Sequence, residues 1–315
     1  MKIKVLKFGG TSVGSIEAIK RSADIIHDWS KKSKVIAVLS AMSGETDRLI
    51  NLTKSFSKNP NPIDFDNAIS SGENVSCALM SICLNNQKIK AKSLLSWQIP
   101  IITSAEHMKS RILSINKKFL YDELENFEVL LIPGFQGINN KGELTTLGRG
   151  GSDTSAVAVA VSIGLNECEI YTDVEGIYTA DPKIVKNAKK ISFITYEEIL
   201  EMASLGSKVL HPRSVELAMK YGITVHVKSS FVSRDGTMVL NEEKKLEKEV
   251  VTGIASSEND AKITLKGIPD RPGIAAKIFG LLANSKINVD MIVQNVTDDG
   301  KLASITFTVP LEDSQ

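Results

Sequence analysis

The sequence predicts an α/β main domain with a mainly parallel central sheet, followed by a smaller α+β unit. Residues 3–26 and 34–49 each read as an apolar strand, a turn that contains glycine, and a helix. Repeated units of this kind place their strands parallel in one sheet. Beyond a charged run the pattern changes to strand, helix, strand, strand, which is part of a ferredoxin-like βαββαβ unit. We therefore predict a main domain at 1–241, a charged linker at 242–249 and a second domain at 250–315.

The bulk properties exclude several classes of protein. A chain of 315 residues is long enough for two domains. Its formal net charge of +1 argues against nucleic acid or a membrane surface as the main partner. No run of about 18 apolar residues occurs, and glycines interrupt the N-terminal segment early, which predicts a cytoplasmic protein. Cys77, Cys83 and Cys168 lack metal-type spacing and are expected to be reduced core residues.

The most informative stretch is TTLGRGGSDTSAVAVAVSIG at 145–164. The three glycines of its turn, Gly148, Gly150 and Gly151, allow a ligand to approach the backbone closely, and Ser152 or Asp153 is expected to cap a helix that begins at about Thr154. The first turn of that helix would face an anion, and Arg149 adds a two-pronged donor for a carboxylate or phosphate. Taken alone, the stretch is equally typical of a glycine turn before a core helix.

Other predicted strands end in similar loops at the same edge of the sheet. A polar, proline-containing stretch at 51–64 predicts a mobile surface excursion, and a long helix is expected from about Ile69 or Ser70. In open α/β sheets, ligands bind beyond the carboxyl ends of the strands. The polar side chains expected there are Lys7, Ser40, Thr46, Glu73, Arg149, Asp153, Thr172, Asp173 and Lys208.

This set of side chains fits phosphoryl transfer, which requires positioning and cations more than covalent chemistry. Lys7, Arg149 and Lys208 could supply the cations, and Glu73 is a suitable partner for a substrate ammonium group. Asp153 could orient Lys7 or hold a metal-bound water. Taken singly, a lysine before two glycines is typical of a solvated strand end, and an aspartate at a helix start is typical of a cap.

At this point the motifs identify a family. The sequence resembles the aspartokinases, of the amino-acid kinase fold, in six segments that occur in the family's order: KFGGTS at 7–12, LSAMSGETDRL at 39–49, SGE at 71–73, TTLGRGGSDTSA at 145–156, YTDVEGIYTADP at 171–182 and KVLHPRS at 208–214. GIPDRPGIAAKIF and INVDMIVQNV resemble the first ACT regulatory module of the lysine- or threonine-inhibited branch. The resemblance implies a three-layer αβα kinase domain with an incomplete ferredoxin-like ACT domain.

The resemblance also implies an activity and residue roles. The activity is phosphorylation of the L-aspartate side chain by ATP, with Mg²⁺ carried by the nucleotide and no protein metal ligand. The implied catalytic residues are Lys7 and Asp153. Aspartate would be held by Ser40, Ala41, Thr46, Glu73, Arg149 and Ser152. The nucleotide would be held by Lys7, Gly9, Gly10, Thr172, Asp173, Tyr178, Lys183 and Lys208. Lys183 occupies a position where relatives often have arginine, so the positive charge is kept and the paired N–H donors of a guanidinium group are lost.

Regulation is where the sequence departs from the family's pattern. Full-length relatives carry two ACT modules, whereas this sequence stops partway through the first, so we expect impaired feedback inhibition. A lysine or threonine effector would contact Asp270, Ala275, Asp290 and Gln294. A strand at 250–255 and the strand at 304–308 are expected to be unpaired edges that favour association, and a homodimer or higher oligomer is expected.

Three alternatives to an active aspartokinase remain open at this stage. One is another enzyme of the same fold that acts on glutamate or a nucleotide, although such an enzyme is not expected to carry GIPDRPG. A second is a non-catalytic, amino-acid-binding regulatory subunit, which would have no use for Lys7, Glu73, Arg149 and Asp153. The third is a truncated relic with low activity.

Overall fold

The computed structural model describes residues 1–148, 150–204, 209–241, 251–256, 260–285, 287, 289–296 and 302–314. The strands are β1 (Ile3–Phe8), β2 (Lys34–Leu39), β3 (Ala91–Ser93), β4 (Ile101–Thr103), β5 (Ile112–Ile115), β6 (Val129–Pro133), β7 (Gln136–Ile138), β8 (Leu144–Thr146), β9 (Glu167–Thr172), β10 (Phe193–Thr195), β11 (Thr224–Ser229), β12 (Thr237–Leu240), β13 (Asp260–Pro269), β14 (Asp290–Val296) and β15 (Leu302–Pro310). The helices are α1 (Ile16–Ser30), α2 (Glu45–Phe56), α3 (Pro62–Ile69), α4 (Ser71–Asn86), α5 (Lys117–Asn126), α6 (Gly151–Ser162), α7 (Tyr196–Ser204), α8 (Pro212–Tyr221) and α9 (Ile274–Asn284).

The central sheet has eight strands in the order β10-β12-β11-β9-β1-β2-β6-β3. Its pairs are parallel except β11 with β12, which confirms the mainly parallel sheet. The inner strands are buried on both faces, as their unbroken apolar sequences require; all five residues of β6 are buried. The carboxyl ends of β9, β1, β2 and β6 therefore lie side by side along one edge.

Helices cover both faces of this sheet, which confirms the three-layer arrangement. On one face α6 contributes the core residues Ala156, Val157, Val159 and Ala160. On the other face the apolar sides of α1 and α4 pack on the sheet. Cys77 and Cys168 are buried and unpaired, as predicted, and Cys83 is half-buried and unpaired.

The polar stretch at 51–64 is mostly exposed, as predicted for a surface excursion, but it contains parts of two helices. Most of it is helical, because α2 continues to Phe56 and α3 begins at Pro62, and only 57–61 connect them. Asn61 caps α3 with its side chain, and proline is well suited to the first turn of a helix. The predicted long helix is confirmed as α4. Along the sequence, the four strands of a smaller sheet, in the order β5-β4-β7-β8, fall between α4 and the glycine-rich stretch.

The chain separates into two compact units, Met1–Ala255 and Ser256–Gln315. Residues 251–256 contain no strand, so the strand predicted at 250–255 is wrong over the described part. Residues 251–255 belong to the first unit, where the Ile254 N–H donates to the Thr179 carbonyl at 2.8 Å. The predicted linker at 242–249 lies outside the described residues. Among the residues that the structure describes, no helix has the length and apolarity needed to span a membrane.

The second unit has the predicted order strand, helix, strand, strand. Its sheet is antiparallel in the order β13-β15-β14, and Ile305, Phe307 and Val309 of β15 form the centre of its core. The prediction that 304–308 is an unpaired edge is wrong, because β15 is hydrogen-bonded on both sides. The edges of this sheet are β13 and β14.

Candidate functional site

The loop after β1 approaches its neighbours too closely for side chains. A Cβ on Gly10 would lie 3.0 Å from the Ala41 carbonyl oxygen, and the Gly9 N–H donates to the Tyr171 carbonyl at 3.0 Å. The Gly9 position faces Lys7, whose Nζ would lie 3.5 Å from an added Cβ. The loop after β1 thus joins the ends of β2 and β9, and it exposes backbone where a phosphate could approach.

Lys7 and Asp153 form a buried ion pair at this edge. The Lys7 Nζ lies 2.6 Å from the Asp153 Oδ1, and each residue is only 8% exposed. Asp153 is in the first turn of α6, where a carboxylate interacts favourably with the helix dipole. The predicted pairing of Asp153 with Lys7 is thereby present in the structure.

The start of α6 differs from the sequence prediction. The helix begins at Gly151, and neither Ser152 nor Asp153 caps it, because both already lie within the first turn. The N-cap is Gly150 in the left-handed conformation, with φ of +67°, and a Cβ there would overlap the His211 ring. Glycine is therefore required at 150 for two independent reasons, the backbone angle and the space taken by His211.

Glu73 lies near the start of α4 and is 3% exposed. Its Oε1 accepts a hydrogen bond from the Ala41 N–H at 3.1 Å, whereas its Oε2 has no hydrogen-bond partner among the described residues. Burial raises the pKa of Glu73 to about 8. A buried carboxylate with a free oxygen is a suitable receptor for an ammonium group, which would return it to the charged form.

The other residues predicted to hold the amino acid lie on the same strand ends. Ser40 directly follows β2, and its N–H donates to the Phe8 carbonyl at 3.1 Å. Thr46 is half-buried in the first turn of α2. Ser152 packs against Gly134 at the end of β6, where an added Cβ would lie 2.7 Å from the Ser152 side chain. Arg149 lies outside the described residues.

The residues predicted to hold the nucleotide follow β9. Thr172 ends that strand, and its hydroxyl donates to the carboxylate of the exposed Asp173 at 3.1 Å. Tyr178 bridges to Lys190 through the backbone, and Lys183 is exposed farther along the same connection. Lys208 lies outside the described residues.

Sequence reasoning missed four residues that hold the glycine-rich loop. Asp66 accepts hydrogen bonds from His107 and Thr146, and the Arg213 guanidinium donates to the carbonyls of Leu147 and Ser110. His211 is the fourth, through its packing on Gly150. Arg213 and His211 belong to the KVLHPRS segment, so that motif could have indicated their importance. Asp66 and His107 lie in no such motif.

Two of the predicted effector residues come together in the second unit. The Gln294 side-chain amide donates to the Asp270 carboxylate at 3.1 Å, and both residues are exposed. Ala275 is exposed in the first turn of α9. Asp290 begins β14, and its side chain lies outside the description.

A group of possible metal ligands, Glu167, Glu169 and His226, lies on β9 and β11. Lys4 Nζ lies 2.8 Å from Glu167 and 3.0 Å from Glu169, and Lys228 Nζ lies 3.2 Å from Glu169. Because two ammonium groups already neutralise these carboxylates, the group acts as an ion-pair network of the sheet.

Comparisons with known proteins agree with this geometry. The amino acid kinase family matches residues 2–229, and the ACT domain matches residues 263–315. The aspartate kinase of Pseudomonas fluorescens SBW25 is 46% identical over 313 residues, which are 98% of this chain and 76% of that protein. The aspartokinase of Helicobacter pylori 26695 is 46% identical over 310 residues, 97% of this chain and 76% of that protein.

Solved structures give the same result. Escherichia coli aspartokinase III in complex with aspartate and ADP superposes with a TM-score of 0.80 at 29% identity, covering 98% of this chain and 79% of that chain. The same enzyme in complex with lysine and aspartate gives a TM-score of 0.77 at 28% identity, over 97% of this chain and 79% of that one. The Archaeoglobus fulgidus uridylate kinase, at 17% identity and a TM-score of 0.54, shares the fold alone.

The sequence motifs, the architecture and the relatives thus agree over nearly the whole chain. Relatives at 46% identity are aspartate kinases, and the nucleotide kinase is far more distant. The chain therefore belongs to the amino acid kinase family and, within it, to the aspartate kinases.

Proposed function

We propose that the chain transfers the γ-phosphoryl group of ATP to the side-chain carboxylate of L-aspartate, giving 4-phospho-L-aspartate and ADP. This is the first step of lysine, threonine and methionine biosynthesis. A carboxylate oxygen of aspartate attacks the γ-phosphorus, and the bond from the γ-phosphorus to the β–γ bridging oxygen breaks. The observation that carries the proposal is the buried Lys7–Asp153 pair beside the glycine loop after β1.

Lys7 supplies positive charge where negative charge develops on the transferring group, and Asp153 holds the ammonium in place. Gly9 and Gly10 fit a phosphate group because neither has a side chain in the way; at Gly10 an added Cβ would lie only 3.0 Å from the Ala41 carbonyl oxygen. Thr172, Asp173, Tyr178, Lys183 and Lys208 bind the rest of the nucleotide. The nucleotide phosphates would carry Mg²⁺, which would neutralise part of their charge, and no protein ligand is proposed for it.

Glu73 binds the ammonium group of aspartate through its free Oε2. Arg149 binds a carboxylate, and Ser40, Ala41, Thr46 and Ser152 complete the site. Selection among amino acids then depends on the distance between the Glu73 carboxylate and the glycine-rich loop.

The second unit binds an amino-acid effector, lysine or threonine, only weakly, through Asp270, Ala275, Asp290 and Gln294, in keeping with the impaired feedback inhibition expected above. The contact of Gln294 with Asp270 supports this assignment. The enzyme acts in the cytoplasm as a homodimer or higher oligomer, which light scattering would test; a monomer at every concentration would contradict the oligomer.

The function is tested by ADP release from the purified chain with MgATP and L-aspartate. We expect turnover that depends on aspartate, is much lower with glutamate and is lost in Lys7→Ala. A folded wild-type chain without turnover would refute the proposal and favour the regulatory or relic alternatives.

A further inference from the structure

The carboxylate of Asp66 is fully buried and accepts hydrogen bonds from two separate segments. Its Oδ2 lies 2.8 Å from the His107 Nδ1 and accepts the Met108 N–H at 3.0 Å. The same oxygen accepts the Thr146 N–H at 3.1 Å, and Oδ1 accepts the Thr146 hydroxyl at 2.6 Å. Four donors therefore converge on one carboxylate, which is the arrangement that compensates a buried charge.

These bonds fix the segment that leads into the glycine-rich loop. The Thr146 carbonyl accepts hydrogen bonds from both the N–H and the hydroxyl of Ser110, each at 2.9 Å. The Arg213 guanidinium donates to the next carbonyl, that of Leu147. Thr146 is thus held on its N–H, side chain and carbonyl, two residues before Gly148, whose φ is +79°.

Asp66 also belongs to the segment that carries Glu73. It lies in α3, which leads through Ser70 into α4, and Glu73 is in the first turn of α4. The Ser70 carbonyl accepts a hydrogen bond from the Gln136 side chain at 2.9 Å, which holds this junction against β7. A rigid connection therefore runs from Glu73 through Asp66 to Thr146.

We propose that Asp66 is a positioning residue, and that the buried cluster of Asp66, His107 and Thr146 sets the distance between Glu73 and the loop after Thr146. That distance selects aspartate over glutamate, which is one methylene longer. The inference rests on the proposed function, with Glu73 binding the ammonium group of the substrate and the glycine-rich loop binding its side-chain carboxylate.

The physical basis is the rigidity of buried, charge-assisted hydrogen bonds. A methylene changes the separation of the charged ends of the amino acid by about 1 Å, and a displacement of that size can change the rate by about 100-fold. If the anchor of Thr146 on Asp66 is lost, the loop can move away from Glu73. The variant site is then less complementary to aspartate and more tolerant of glutamate.

The test compares Thr146→Val, which removes the hydroxyl and keeps the shape, with Thr146→Ser, which restores it. Asp66→Asn removes the charge at the other end of the bond. Tyr196→Phe is the matched control, since it removes a buried hydroxyl that donates to the Ile223 carbonyl at 2.8 Å in the core. Steady-state kinetics with aspartate, glutamate and ATP, and calorimetric affinities for both amino acids, are measured for all five proteins.

For Thr146→Val and Asp66→Asn we expect KM for aspartate to rise about tenfold and the aspartate-to-glutamate ratio of kcat/KM to fall about tenfold. KM for ATP should be unchanged. Thr146→Ser should restore the ratio, and Tyr196→Phe should leave it at the wild-type value although it destabilises the fold.

If the variants lose stability and keep the wild-type preference, the cluster is merely structural and the inference is overturned. If the wild-type chain binds aspartate without turnover, the proposed function fails. The ratio of aspartate to glutamate affinity in the variants then still decides whether Asp66 is a positioning residue. Absence of aspartate binding in the folded wild-type chain would overturn both.

Discussion

Glu73 gives the sharpest test of the site, because it couples substrate binding to folding. Its carboxyl group is buried, and burial raises its pKa from 4.5 to about 8. The folded chain therefore binds more protons than the unfolded chain between these two pH values. The contribution of Glu73 to stability is fully present below about pH 4.5 and is lost as the pH rises through about 8. The change Glu73→Gln removes this dependence.

The magnitude follows from the pKa values. One pKa unit corresponds to about 1.4 kcal/mol. The pKa difference of Glu73 between the two states thus lowers the unfolding free energy, relative to its value well below pH 4.5, by roughly 1 kcal/mol at pH 5 and roughly 3 kcal/mol at pH 7. The unfolding free energy of Glu73→Gln minus that of the wild type should therefore rise by roughly 2 kcal/mol between these pH values, whatever its value at pH 5.

The assay is urea unfolding of both chains from pH 5 to pH 8. Glu45→Gln serves as the control: hydrogen bonding to Arg48 lowers the pKa of the half-buried Glu45, so its carboxylate is ionised in both states and the change should add no pH trend in this range. Aspartate affinity of the wild type should increase with pH up to about 8, since the ammonium group requires the ionised carboxylate. A difference between Glu73→Gln and the wild type that stays flat across this range would refute the reasoning.

Three further predictions concern other parts of the chain. In urea unfolding, the single changes Lys7→Met and Asp153→Leu should each lower the unfolding free energy by about 3 kcal/mol, because each leaves a buried charge unpaired. The double change should lower it by less than either single change. Additive effects of the two changes would contradict the pairing. Gly150→Ala should lower Tm and abolish turnover, and His211→Ala added to it should recover only part of the stability, since the strain at φ of +67° remains; full recovery would show that the backbone angle costs nothing. Gln294→Ala should weaken calorimetric binding of lysine or threonine about tenfold without changing KM for aspartate; equal effector affinity in both chains would remove Gln294 from the site.

Predictions that rest on local pattern were confirmed. The alternation of apolar strands with glycine turns and helices gave the parallel sheet, since strand burial and turn chemistry are properties of short segments. The pairing of Lys7 with Asp153 was also predicted correctly, from the convergence of strand ends at one edge. The order of elements in the second unit follows from the same kind of local signal.

Apart from the Lys7–Asp153 pair, most features that depend on contacts distant in sequence were predicted wrongly or not at all. The start of α6 was misplaced because Gly150, packed on His211, takes the capping position. The stretch at 51–64 is at the surface as predicted, but its polar composition conceals parts of two helices. The 304–308 strand was expected at an edge, and the sheet order places β15 in the centre.

The layered α/β architecture, the family and most of the residues at the strand ends could be predicted from the amino-acid sequence, because periodicity and motif spacing are local properties of the chain. The desolvation of Glu73, its oxygen without a partner among the described residues, and the bonds of Asp66 to His107 and to Thr146, 80 residues away, became known only from the three-dimensional structure. The physical reason is that burial and hydrogen bonding belong to the neighbours that the fold supplies. The identity of a buried polar residue alone does not reveal which groups will compensate its charge.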